Sequence, residues 1–156
     1  QTGGETLVEY AADVATTQFG SGFGRKGQKI MHPDQKEYES HPWNLNNLPN
    51  SFNSLMQFDR NEEISGINAP WLYVGMRWST FCWHYEDLML FSMNYAHWGS
   101  AKQWYCIPEE DREKFVAACK QKLPLLFSKD SNILHDMVTM ISPTYLIENG
   151  VSARLL

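Results

Sequence analysis

From Trp71 onward, aromatic and β-branched residues come in short runs broken by Gly, Ser and Pro, which is the pattern of successive strands. The runs predict strands near residues 71–77, 79–88, 90–97 and 102–107. After Pro108 the pattern changes: Glu109, Glu110 and Asp111 lead, Phe115, Val116 and Cys119 recur at helical spacing, and Lys120 and Lys122 close the segment. Acids first and bases last align a helix with its own dipole, so a helix is predicted here. A second short helix is predicted over 131–137 and a strand over Val138–Ile141. Ser142-Pro143 reads as an N-cap followed by proline at the first helical position, and Gly150 ends that last helical turn.

Upstream, residues 1–40 are polar and glycine-rich around one apolar island, Leu7-Val8-Glu9-Tyr10-Ala11-Ala12, which suits a paired strand. Gly20-Ser-Gly22-Phe-Gly24 matches neither GxGxxG nor GxxxxGK[ST] and reads as a flexible turn. In residues 41–56, Asn44, Asn46, Asn47, Pro49 and Asn50 between apolar residues predict turns with one short helical piece. The organisation is therefore a loop-rich lead-in, 1–40, before a β-rich core, 41–156.

The 156 residues, 43% hydrophobic and 20% charged, have the composition of a folded domain with a real core. With 13 basic residues against 18 acidic ones the net charge is −5, and no basic run exceeds Arg25-Lys26. Broad phosphate-backbone binding is not expected, nor a direct nucleic-acid site. Apolar stretches fall far short of the roughly 20 residues needed to span a bilayer, so no membrane role is expected. Cys82, Cys106 and Cys119 are odd in number and contain no CxxC pair, which argues against a disulfide framework or a thiolate zinc knuckle and fits a reducing compartment. Gln1 stands where an initiator methionine would, and the chain reads as a fragment.

The informative segment is Phe81-Cys82-Trp83-His84-Tyr85-Glu86-Asp87. On a strand, His84 and Glu86 share a face while Trp83 and Tyr85 take the other. An imidazole beside a carboxylate supplies two neighbouring metal ligands, and a further histidine would complete a 2-His-1-carboxylate triad with positions left open for cosubstrate and oxygen. Alone, an HxE is more often an ordinary exposed or hydrogen-bonded pair on a strand. Zinc deaminases also carry HxE, but theirs is followed by P-C-x-x-C; here Glu109 follows Pro108, and that reading fails.

Downstream, Ser92 and Asn94 share one strand face, and Lys102 and Trp104 share another after the Gly99-Ser100 turn. A diacid cosubstrate such as 2-oxoglutarate needs a cation for its distal carboxylate and hydroxyl or amide donors, because an unpaired buried carboxylate is costly. Lys102, Tyr73, Ser92 and Asn94 offer that set, although each taken singly also suits an ordinary surface or core role.

Four runs in order now carry a resemblance: Pro70-Trp-Leu-Tyr-Val-Gly-Met76, Ser79-Thr-Phe-Cys-Trp-His84-Tyr-Glu86-Asp87, Ser92-Met-Asn94-Tyr-Ala-His-Trp-Gly99 and Lys102-Gln-Trp-Tyr105. Together they closely resemble the JmjC (jumonji C) histone lysine demethylases, nearest to the JARID-type branch that acts on lysine-4 of histone H3. Val8-Glu-Tyr10-Ala-Ala-Asp13, Phe19-Gly-Ser-Gly-Phe23, Trp43-Asn-Leu-Asn-Asn-Leu-Pro49, Leu134-His135 and Val138-Thr-Met-Ile-Ser-Pro143 extend the likeness over nearly the whole chain.

The resemblance implies a mainly β fold with flanking helices, a double-stranded β-helix of the cupin/jelly-roll type, incomplete at its C-terminus. By that likeness His84 and Glu86 are the first two ligands of Fe(II) and the catalytic pair. Tyr73 and Lys102 hold the distal carboxylate of 2-oxoglutarate, Ser92 and Asn94 make polar contacts to it, and Phe81 and Trp104 wall its pocket. Tyr10 lines the methyl-lysine channel. The implied reaction consumes O2 and 2-oxoglutarate, hydroxylates an N-methyl group and releases formaldehyde. The implied partners are the histone H3 tail, whose basic charge suits an acidic chain, and chromatin complexes, and the implied location is the nucleus.

Two departures stand out. Ala11 occupies a position usually filled by glycine in that branch, and the family's closing strands with the distal histidine ligand are expected beyond Leu156. The resemblance therefore implies a domain truncated at its C-terminus and inactive alone. His97 lies in the family's NYxHWG segment, which is not a ligand position, His135 on a predicted helix, and His32 and His41 in the loop-rich N-terminal third; all four are expected to be structural or surface residues. Two other functions remain compatible with these residues: a catalytically silent jumonji-like chromatin-binding module, and a protein hydroxylase of the same fold.

Overall fold

Two short antiparallel pairs and a helical cluster carry the fold of the computed structural model, which describes residues 5–25, 27, 34–58, 62–129 and 140–156. The chain divides into two units, Gln1–Ser79 and Thr80–Leu156.

In the first unit, β1 (Tyr10–Ala15) pairs antiparallel with β2 (Trp71–Gly75). The apolar island does form a strand, shifted a few residues toward its C-terminal end, and the strand expected at 71–77 is present. Gly75 stands opposite Tyr10 in the register. A Cβ at position 75 would lie 2.9 Å from the Tyr10 ring and 2.6 Å from the Ser79 hydroxyl, so only glycine lets that ring lie across β2.

A one-turn helix α1 (Thr16–Phe19) ends at Gly20, whose N–H bonds the Thr16 carbonyl at 2.9 Å with φ at +78°. The glycine-rich stretch is thus a turn, as its sequence predicts. Helix α2 spans Asp34–Glu39. The asparagine-rich stretch then winds around the buried Asn44, whose amide donates to the carbonyls of Gly24 and Tyr38 at 2.9 Å each while its oxygen accepts the Asn46 N–H. Short 3-10 turns follow at Leu48–Asn50 and Leu55–Phe58.

In the second unit, α3 (Arg112–Lys122) follows a 3-10 turn over Glu109–Asp111, as the charge pattern predicts. Its Phe115, Ala118 and Cys119, at i, i+3 and i+4, turn one face into a core with Ile141, Leu146 and Val151. Helix α4 (Pro124–Lys129) continues from it. Helix α5 (Pro143–Glu148) begins at Ser142 with proline at its first position, although no Ser142 side-chain bond caps it. It ends where expected: Gly150 has φ +77°, its N–H bonds the Ile147 carbonyl, and the Val151 N–H reaches back to Leu146. This Schellman arrangement seats Val151 against Leu146 in the core. The chain then forms β4 (Arg154–Leu155), antiparallel to β3 (Tyr105–Cys106).

Asp111 staples this unit together. Its side chain is buried, one oxygen accepting from Lys114 Nζ at 2.6 Å and the other from the Ser152 N–H at 2.7 Å. The Lys114 bond foremost, then those from Ser152, hold its carboxyl well below the ordinary carboxylate range.

Three strand expectations need correction. Residues 79–88 and 90–97 make no ladder and are irregular apart from a 3-10 turn at Asp87–Met89, and the strand expected over 102–107 contracts to Tyr105–Cys106. Strand character requires a partner's N–H and C=O groups, and among the described residues none pairs with those two segments. In place of a straight strand, the chain bends through Leu88 and Met89, both at φ +54°. The helix expected over 131–137, most of the strand expected at Val138–Ile141, and His32 and His135 lie outside the described residues; Met140 and Ile141 are irregular. No helix among the described residues is long and apolar enough to cross a membrane.

Candidate metal and cosubstrate site

Trp83 is the anchor that orients the HxE segment. Its indole N–H donates to the Ile141 carbonyl at 2.8 Å, and its ring packs on Phe115, 5.7 Å between centroids, at the edge of the core. With Trp83 turned inward, the alternation of an extended backbone sends its neighbours outward even though no ladder forms. His84 Nε2 and Glu86 Oε1 come to 3.9 Å of each other, with side chains 26% and 44% exposed. The Tyr85 ring lies 5.5 Å from the Arg112 guanidinium. His84 is further fixed by its Nδ1, 2.8 Å from the Cys82 carbonyl. That contact leaves Nε2 as the nitrogen turned toward Glu86, the kind of outer contact that sets which ring nitrogen can ligate.

Beside the pair lies an aromatic and cationic group. The Phe81 ring stacks on Trp104 at 5.9 Å, stands edge-on to His84 at 6.3 Å, and carries Lys102 Nζ 4.1 Å above its face. The ammonium gains from the ring quadrupole, while partial desolvation lowers its pKa from the ordinary lysine value. Lys102 is therefore neither buried nor a freely solvated edge lysine. Burial likewise raises the Cys82 thiol, which disfavours its thiolate and so its use as a metal ligand.

The second unit thus gathers Phe81, His84, Glu86, Lys102 and Trp104. Ser92 and Asn94 are exposed in the irregular segment that follows. In the first unit, Tyr10 and Tyr73 meet at 6.1 Å across β1 and β2. Burial, and secondarily the negative charge of Asp13, pushes the Tyr10 hydroxyl up to about 12. Tyr73 Oη donates to Asp13 Oδ1 at 2.8 Å. Asp13 and Arg112 are the two side chains at these groups that the sequence reading passes over. Asp13 lies inside the Val8–Asp13 run, but nothing in its spacing foretells the bulge that turns it toward Tyr73.

The donor chemistry fits a divalent metal. Imidazole and carboxylate are the nitrogen and oxygen donors of a facial triad, and bonds of about 2.0–2.2 Å from each could meet at one ion across a gap of this size. They make two ligands of three; among the described residues no cluster of three His, Cys, Asp or Glu side chains is poised to hold a metal.

Residues 71–154 match the family model described as JmjC domain, hydroxylase, a span that contains every one of these second-unit residues. Lysine-specific demethylase JMJ17 of Arabidopsis thaliana is 44% identical over 96% of this chain, and JMJ703 of Oryza sativa subsp. japonica is 43% identical over 94%. The human lysine-specific demethylase 5D is 42% identical over 94% of the chain. The chain spans only 13%, 12% and 10% of those three proteins. Membership implies a cupin-type fold, with which the small antiparallel pairs and flanking helices agree. Lysine-specific demethylases are what this chain resembles along nearly all of its length, and with a family match over more than half of that length the chain belongs to the JmjC family.

Proposed function

We propose that this chain is part of an Fe(II)- and 2-oxoglutarate-dependent demethylase of methyl-lysine on histone H3, of the lysine-4 type, acting in the nucleus with chromatin complexes. The observation that carries the reading is the His84–Glu86 pair standing beside the Phe81–Lys102–Trp104 group inside the matched span. His84 and Glu86 hold the metal, with the third protein ligand assigned to sequence outside the described residues. Bound Fe(II) supplies the oxygen activation that couples decarboxylation of 2-oxoglutarate to hydroxylation of an N-methyl group, after which the hemiaminal releases formaldehyde.

The chain's own residues bind and orient. Lys102 offers its ammonium to the distal carboxylate, and Tyr73 adds a phenolic donor. Phe81 and Trp104 wall the cosubstrate and exclude water, Ser92 and Asn94 supply polar contacts, and Tyr10 lines the approach of the methylated side chain. The net charge of −5 favours encounter with a basic tail. In the longer protein these parts belong to a closed double-stranded β-helix, in which residues 79–88 and 90–97 pair with strands outside the described residues.

The test is mass spectrometry of trimethylated, dimethylated and monomethylated H3 lysine-4 peptides incubated with the full-length protein, Fe(II) and 2-oxoglutarate. Stepwise loss of 14 Da per methyl group with formaldehyde release is expected. Hydroxylation of a peptide without formaldehyde would point instead to a protein hydroxylase, and peptide binding with no succinate to a silent chromatin-binding module.

A further inference from the structure

Helix α3 touches the HxE segment twice. Its Phe115 ring meets the Trp83 ring at 5.7 Å, and one turn earlier the Arg112 guanidinium lies 5.5 Å from the Tyr85 ring. Side chains three apart on a helix stand about 5–6 Å from each other, and residues two apart along an extended backbone about 6.5 Å. A single helical turn therefore matches the step from Trp83 to Tyr85. The start of α3 is itself pinned, because the buried Asp111 beside Arg112 accepts the Ser152 N–H at 2.7 Å and Lys114 Nζ at 2.6 Å. On the preceding 3-10 turn, Glu109 Oε1 lies 3.8 Å from the Arg112 guanidinium and steadies it from the same end of the helix.

In sequence, Trp83 and Tyr85 alternate with His84 and Glu86. An anchor at Trp83 alone fixes one side of His84. Tyr85 sits between the two donors, so a contact there limits how far Glu86 Oε1 can swing from His84 Nε2, 3.9 Å away. Both donors are partly exposed, and burial alone does not hold them at that spacing. We propose that Arg112 is a positioning residue for the metal pair: through Tyr85 it completes, with Phe115 on Trp83, a two-point clamp by which α3 presets the spacing of His84 and Glu86. The inference rests on the reading above that these two side chains hold the metal. Donors preset in this way lose less freedom when an ion binds, and the saving appears as affinity.

The measurement is the Kd of Mn(II) by calorimetry on the full-length protein without 2-oxoglutarate, read beside the thermal midpoint of the metal-free protein. Arg112→Gln keeps a long polar side chain and loses the cation. It is expected to raise the Kd about two- to fivefold, the size of an exposed cation–ring contact. The midpoint should stay in place, since the side chain is half-exposed and its loss opens no cavity. Arg112→Lys returns a cation to the ring and should recover most of the affinity, and in a Tyr85→Leu background the Arg112→Gln loss should vanish, as a double-mutant cycle reads it. A Kd that Arg112→Gln leaves unchanged, a loss that persists in Tyr85→Leu, or one that tracks a falling midpoint and is not recovered by lysine overturns the clamp. If His84→Ala binds Mn(II) as tightly as the unaltered protein, what fails is the assignment of the pair to the metal, and the clamp falls with it.

Discussion

His84 Nε2 and Glu86 Oε1 stand 3.9 Å apart because Trp83, in the same segment, is drawn inward to the Ile141 carbonyl. The pair is thus held by an anchor on its opposite face. His84→Ala removes one of the two donors and should abolish both high-affinity divalent-metal binding and iron-dependent succinate formation in the full-length protein. Metal titration by calorimetry checks the first and succinate assay the second; retention of both would remove His84 from the site.

Trp83 itself offers a subtler test of the same relationship. Trp83→Phe keeps an aromatic ring against Phe115 but leaves the buried Ile141 carbonyl without its indole donor. The expected cost is about 1–3 kcal/mol of stability, read by denaturant unfolding, together with weaker metal binding as the HxE segment loosens.

Lys102 carries the only cation assigned to the cosubstrate, 4.1 Å above the Phe81 ring. Lys102→Ala should raise the Kd for 2-oxoglutarate with a loss of about 1.5–3 kcal/mol, toward the lower end because the residue is largely exposed. Lys102→Arg is not a neutral control, since a planar guanidinium places its donors differently. Calorimetric titration of 2-oxoglutarate distinguishes these, and an unchanged Kd for the alanine variant would separate Lys102 from the cosubstrate.

How much of this was legible in the sequence depends on how local each signal is. The acid-to-base gradient of α3, Pro143 at the start of α5 and Gly150 at its end act over a single turn, and each element forms where those residues predict. Residues 79–88 and 90–97 carry equally strong strand composition, yet a ladder depends on a partner and forms only where one is present. The closeness of His84 and Glu86 survives nonetheless, because residues two apart on extended backbone share a side whether or not a ladder forms. Adjacency of His84 and Glu86 could therefore be read from spacing. The stacking of Phe81 on Trp104, 23 positions on, and the bulge that swings Asp13 onto Tyr73 could not, since both depend on how distant segments fold back.

Gly75 links backbone space to the tyrosine proposed for substrate. Gly75→Ala places a methyl 2.9 Å from the Tyr10 ring and 2.6 Å from the Ser79 hydroxyl, closer than van der Waals contact allows. Tyr10 or Ser79 must move, at about 1–3 kcal/mol for overpacking. The expected result is a lower unfolding midpoint and a raised KM for the methylated peptide, measured with 2-oxoglutarate saturating.

Asp111 gives the fold its acid sensitivity. Its carboxyl is held well below the ordinary range, by the Lys114 bond first and the Ser152 bonds second, whereas in the unfolded chain it titrates as an ordinary aspartate, near 3.8. A group whose folded pKa is depressed contributes stability that is fully present above the unfolded value and is lost as pH falls from there toward the folded one. The thermal midpoint should accordingly be insensitive to this group above about pH 5 and fall below pH 4. Asp111→Asn is expected to lower the midpoint at neutral pH, since the Lys114 ammonium and the Ser152 N–H lose an ionised acceptor, and to flatten the decline on acidification. Thermal unfolding of both proteins from pH 7 to pH 2 checks this: parallel curves would mean that other carboxylates carry the acid transition, and converging curves that Asp111 does.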